Sequence, residues 1–173
     1  GVGQAAGAVA AVRAGQIDAL IVNDPSATVL TKDGSLKPLE NMRTADGNVK
    51  VFGSDYPESS LFATQDFVNR NPKTVQAVAN AIVRAEKWIA KATPQQVADN
   101  VPPEFLTDNK ALYAEAFTNS RRCIAQNGEI TPKGAQTVRD VLAAFDPTVA
   151  SAHIDLSSTY DNRFVRKAAE IQP

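Results

Sequence analysis

Two side chains in this sequence are best suited to nucleophilic or acid–base work near neutral pH: one cysteine, Cys123 in "RRCIAQNG", and one histidine, His153 in "SAHIDLS". A triad needs a nucleophile, a base and an acid that orients the base. His153 is followed by Asp155 and several serines, but their spacing fixes no such geometry, and the loop histidine reads as a surface or packing residue. Cys123 has Arg121 and Arg122 beside it, which would lower a thiol's pKa if it were exposed. A free cysteine on a helix otherwise behaves as a small hydrophobe. One residue of each kind excludes an internal disulfide framework and a Cys/His zinc site.

Carboxylates give a similar result. Asp24 and Asp55 stand beside turns, and neither has a second acid at a spacing that implies paired acid and base chemistry. The opening "GVGQAAGAVAAVRAG" offers a different chemistry, because glycines let backbone amides approach an anion at a helix N-terminus. Gly1, Gly3 and Gly7 nevertheless miss the dinucleotide spacing by one residue, and no strand precedes them. What remains is recognition of a small polar molecule by amides, an amide side chain, a carboxylate and a tyrosine.

Composition agrees. The 173 residues hold 18 basic and 19 acidic side chains and are 43% hydrophobic, so the chain can bury a core and carries no field that steers it to nucleic acid or anionic lipid. Aromatic residues make up 6%, too few for a base-stacking platform, so no nucleic-acid partner is expected. No run approaches the ~20 apolar residues of a membrane span. A chain that begins within a glycine turn is expected to be the C-terminal portion of something longer, with any export signal upstream of view.

The elements that must position these groups follow from periodicity. Ala8, Val9, Ala11 and Val12 give a helix an apolar face that Gly15 ends, and the unbroken apolar run in "QIDALIVND" then reads as a strand of a sheet covered on both faces. Asn23, Asp24 and Pro25 end it, at the strand terminus where open α/β sheets bind ligands. A short helical turn at 26–31, strands at 36–42, 49–53 and 60–63, and an almost wholly helical remainder from Asp66 complete the expectation. Helices are expected at 71–90, at "TPQQVADN", at 110–124, at 132–145 and in a last segment ending near Ala169, with a long loop between the last two. The shift in texture at 54–57 suggests a crossing between two lobes, dividing the chain into 1–53 and 54–173.

The stretches "AVAAVRAGQIDALIVNDP", "YPESSLFATQDFVNRNPKTVQAVANAIVRAEKWI" and "FDPTVASAHIDLSSTYDNRFVRKA" resemble the periplasmic substrate-binding proteins of ABC importers in the nitrate, sulfonate and taurine group. That group shares its fold with the thiamin-pyrimidine binders. The resemblance implies an α/β, two-lobed periplasmic-binding-protein-like fold of type II, here incomplete, with a helix-rich C-terminal half. It implies a non-enzymatic, periplasmic or lipid-anchored protein that binds a small anion or zwitterion without a cofactor and delivers it to an ABC permease of the inner membrane. The absent N-terminal half, or a second copy, is a further expected partner. By position the ligand-binding candidates are Gly3, Gln4, Asn23, Asp24 and Tyr56. The alternative within the same fold is a thiamin-pyrimidine precursor binder or a pyrimidine-forming enzyme. The enzyme carries a cysteine-rich motif with histidine ligands, which this chain, with one cysteine and one histidine, does not match. An enzyme that uses the opening glycines for a nucleotide, or Cys123 as nucleophile, is the competing class.

Overall fold

The computed structural model describes residues 6–106, 109–125 and 127–170. In chain order the helices are α1 (Ala6–Arg13), α2 (Ser26–Lys32), α3 (Ala45–Phe52), α4 (Gln65–Arg70), α5 (Pro72–Lys91), α6 (Pro94–Asn100), α7 (Lys110–Ser120), α8 (Pro132–Ala143), α9 (Pro147–Ser151) and α10 (Arg163–Ala169). Three single-turn 3-10 segments, Pro103–Phe105, Arg121–Cys123 and Leu156–Ser158, punctuate the connections.

No β-strand occurs among the described residues, and this overturns the α/β expectation. The apolar run at 17–22 is irregular and has no partner strand, with Ile21 86% exposed. A strand is stabilised by a ladder to its neighbour, and none reaches this run among the described residues, where Ile17, Leu20 and Val22 are only half-buried. Residues 36–42 and 60–63 are likewise irregular, and the strand expected at 49–53 lies in α3 and the turn after it. Alternating apolar residues in "VKVFG" suit either period, and over so short a run periodicity cannot separate them.

The helices themselves begin where cap chemistry places them. Thr93 accepts from the Gln96 amide at 3.1 Å while Gln96 Oε1 accepts from the Thr93 amide at 2.8 Å, a reciprocal box that starts α6 with Pro94 in its first turn. Thr64, Asn109, Thr131 and Asp146 cap α4, α7, α8 and α9 in the same sense. Asn71, which suits a cap for α5 by sequence, instead donates its side-chain amide back to the Phe67 carbonyl at 3.2 Å and closes α4. Gly15 ends α1 with φ of +66°, a conformation that other residues adopt at a cost. The long loop between α8 and α10 contains α9 and one 3-10 turn.

The chain divides into two compact units, one formed by residues 1–44 and 92–123 and the other by 45–91 and 124–173. In the first, α2 packs on α1 and α7, and α6 packs on α7. Its core combines small side chains, Ala8, Ala98 and Ala116, with Val12, Val97 and Leu106, and Leu30 is fully buried. Lys32 pairs with Glu115 to tie α2 to α7, and Arg13 grips Asp33 at 2.6 Å. The Ser35 hydrogen bond, with Arg13 second, holds the Asp33 carboxyl down at about 2.

In the second unit α10 lies along α5, where Ala79, Val83 and Ala168 are buried and Phe164 and Val165 pack over them. Hydrogen bonds fix the register of the pair: Gln76 Nε2 donates to the Phe164 carbonyl at 2.9 Å, and Lys87 Nζ to the Ala169 carbonyl at 3.0 Å, where a cation favours the helix C-terminus. Asn162 closes a two-bond ring on Ile130, accepting from its amide at 3.1 Å and donating to its carbonyl at 2.8 Å.

Candidate functional site

The sequence places Asn23 and Asp24 just before α2, and the Asp24–Pro25 peptide bond is cis. Pro25, at the helix cap position, has no side chain that can accept from the first turn. Asp24 does so from one residue earlier: its Oδ1 accepts from the Thr28 amide at 3.0 Å and from the Thr28 hydroxyl at 2.7 Å. Its Oδ2 accepts a short hydrogen bond from Ser120 Oγ at the end of α7, an oxygen that also lies 2.7 Å from the Ala116 carbonyl. Arg43 Nη1 lies 3.3 Å from Oδ2 and 3.4 Å from Oδ1.

Thr28 is the centre of a second layer. Having given its one hydroxyl proton to Asp24, its oxygen accepts from Asn119 Nδ2 at 2.9 Å and from Arg43 Nη1 at 3.2 Å. Arg43 is steadied in turn by Asn41, whose Oδ1 accepts from its Nε at 2.9 Å and from its amide at 3.2 Å. The Asp24 side chain is 9% exposed and that of Arg43 22%, so the ion pair is shielded from solvent.

This arrangement binds together three parts of one unit: the start of α2, the segment at 41–43 and the end of α7. A carboxylate whose two oxygens both accept from fixed donors is an anchor that ties these segments together. Asn23, next to it, is exposed, and its backbone carbonyl accepts from the Ala27 amide at 3.2 Å. Asn23 thus stands exposed one residue before the Asp24 network, with its backbone tied to the first turn of α2.

Tyr56 lies in the other unit, half-buried, with its ring stacked on Phe52 at 4.3 Å and 19°. Beside it, Asp55 Oδ2 accepts from the Thr131 hydroxyl at 2.6 Å and Oδ1 from Ser54 at 2.7 Å. Those hydroxyls, Thr131 first, hold the Asp55 carboxyl below its ordinary value. Gly3 and Gln4 lie outside the described residues. Cys123 is exposed and its thiol donates to the Met42 carbonyl at 3.4 Å, while His153 is exposed in the loop after α9. Among the described residues no group of histidine, cysteine, aspartate and glutamate side chains could hold a metal ion, and no helix is long and apolar enough to cross a membrane.

Sequence reasoning missed Thr28, Arg43, Asn119 and Ser120. The spacing Asp24-x-x-x-Thr28 carried a local signal, since an aspartate ahead of a helical turn reaches the amides of that turn. Arg43 and the Asn119–Ser120 pair stand far along the chain and carry none.

A model of the NMT1-like family matches residues 2–101, which include Asn23, Asp24, Thr28, Arg43 and Tyr56. The chain belongs to the NMT1-like family. Members of this family fall in the periplasmic binding protein-like substrate-binding group, whose character is solute binding or a related function. A solved structure of a protein from Bordetella bronchiseptica RB50 is similar over 98% of this NMT1-like chain, at 40% identity and a TM-score of 0.90. The match takes in 54% of the Bordetella chain, so the present chain spans about half the length of that relative. None of the curated proteins matches.

Proposed function

We propose that this NMT1-like chain is part of the solute-binding component of an ABC importer, and that the whole protein binds a small anion or zwitterion such as a sulfonate, nitrate or taurine. Membership of the substrate-binding group is the observation that carries the reading. In this proposal Asn23 contacts the solute and Asp24 positions it through the network with Thr28, Arg43 and Ser120. The proposed location is the periplasm or a lipid-anchored site facing outward, the proposed membrane partner is an ABC permease, and no turnover is expected.

Calorimetric titration of the full-length protein with nitrate, taurine, an alkyl sulfonate and a thiamin-pyrimidine precursor tests the reading. Saturable binding of one of the anions or zwitterions is expected, with affinity weakened at least about tenfold in Asn23→Ala, the loss of one charge-assisted or polar contact. Cys123→Ser should keep full affinity, whereas an enzyme using that thiol would lose turnover. Binding of the pyrimidine alone would reassign the ligand class, and no saturable binding by any of the four would defeat the assignment.

A further inference from the structure

The Arg43 guanidinium is fixed along one side and open along the other. Its Nε donates to Asn41 Oδ1 at 2.9 Å, and Nη1 reaches the Asp24 oxygens at 3.3 and 3.4 Å and Thr28 Oγ1 at 3.2 Å. Nη2 has no acceptor among the described residues and is not buried, so it meets solvent. The contacts to Asp24 are longer than the about 2.7–2.9 Å of a guanidinium closed on a carboxylate. Asp24 takes its shorter bonds from the Thr28 amide and hydroxyl and from Ser120, three uncharged donors that share its charge. The network therefore orients Arg43 while the outer edge of the cation keeps its donors.

A second donor stands with it. Asn41 is exposed, and its Oδ1 accepts from both the Arg43 amide and Nε, which leaves its Nδ2 as the outer end, again without an acceptor among the described residues. A guanidinium nitrogen and an amide nitrogen both donate and accept nothing, so together they fit a ligand oxygen that carries negative charge.

We propose that Arg43 and Asn41 form the anion-holding part of the solute site and take the oxygens of an oxyanion group such as nitrate or a sulfonate. The inference rests on the solute-binding reading above and names the residues that set its charge selectivity. Arg43 is already held by Asn41, Asp24 and Thr28, so an arriving anion immobilises few further rotamers. The same cation repels a positively charged ligand end, and an uncharged pyrimidine forgoes the attraction between opposite charges.

The test titrates the full-length protein calorimetrically with nitrate, taurine, an alkyl sulfonate and a thiamin-pyrimidine precursor, unaltered and as Arg43→Lys, Asn41→Ala and Lys37→Gln, and follows the Arg43 side-chain nitrogens of the unaltered protein by NMR. Arg43→Lys keeps a cation for Asp24 but loses the outward nitrogen, and should weaken the bound anion about tenfold or more, the loss of one hydrogen bond to a charged group. Asn41→Ala removes one donor and the acceptor that steadies Arg43, and should weaken the same ligand. Lys37→Gln, at an exposed lysine outside the network, should leave the affinity unchanged and so separates a specific contact from general charge. The Arg43 nitrogen resonances should shift as the anion binds. Circular dichroism checks that each variant folds, and the NMR titration decides the matter if one does not. Anion binding that moves neither the Arg43 resonances nor the affinity of the two variants, or an equal loss in Lys37→Gln, overturns this subsite and leaves the solute-binding reading standing. Binding of the pyrimidine alone overturns the subsite, and saturable binding by none of the four defeats the subsite and the solute-binding reading together.

Discussion

At the scale of single residues, Asp24 and Glu86 show how burial sorts carboxylates into opposite behaviours. Asp24 is surrounded by donors and an Arg43 guanidinium, so removing it leaves that cation shielded and unpaired. Asp24→Ala is expected to destabilise the chain by about 2–3 kcal/mol in urea unfolding, below the full cost of breaking a buried pair because Arg43 keeps some solvent. A change within about 0.5 kcal/mol, the range of ordinary surface substitutions, would show that the network holds nothing. Glu86 lacks such donors: its Oε2 is buried beside Gly128 with no hydrogen-bond partner, and burial raises its pKa from 4.5. In the unfolded chain Glu86 loses its proton at the ordinary value, so between that pH and the raised folded value the folded state binds more protons and stability falls as pH rises. Glu86→Gln should therefore raise the melting temperature at pH 7, and the gain should shrink toward pH 4. An equal gain at both pH values would mean that charge burial is not the cause.

Elements were legible in the sequence wherever local chemistry sufficed. The capping box of α6 needs only Thr93, Pro94 and Gln96, all within one turn, and the helix begins there. Thr93→Ala should cost about 1 kcal/mol and speed amide exchange in α6 more than elsewhere, a pattern that exchange measured residue by residue would reveal. The α8 start has the same Thr-Pro signature but a tertiary addition, because a Cβ on Gly134 would come within 2.8 Å of Asp55 Oδ2 and 3.1 Å of Pro57 Cδ. Gly134→Ala thus sets a helix-propensity gain of up to about 1 kcal/mol against overpacking of about 1–3 kcal/mol. The Asp55 carboxylate is pinned by Thr131 and Ser54, which leaves it little room to yield, and net destabilisation is expected in thermal unfolding. A stabilised variant would show that Asp55 moves freely. The expected strands failed for a related reason: nothing within 17–22 or 36–42 specifies a ladder partner, and none is present among the described residues.

At the scale of the whole molecule, a solute-binding protein should be stabilised by what it binds. In the full-length protein a true ligand at about a hundred times its dissociation constant should add about 2.7 kcal/mol, seen as a rise in melting temperature that grows with ligand concentration. A melting temperature indifferent to nitrate, taurine and sulfonate alike would count against the proposed class of ligand. The sequence by itself determined the helical second half, the Thr-Pro starts of α6 and α8, the stop at Gly15, the apolar faces of α1 and α5 and the turn at Asn23–Asp24, because each depends on residues within a turn or two of one another. It also determined that 17–22 is apolar. Only the tertiary structure decided that this run has no ladder among the described residues, and that Asp24 is held by Arg43 and Ser120. It decided also that Ala79 and Val83 of α5 are buried while Val78 and Ile82 stay 40% exposed. Those outcomes depend on which distant segments arrive beside a residue, and hydrogen bonds and burial between distant segments leave no periodic trace along the chain.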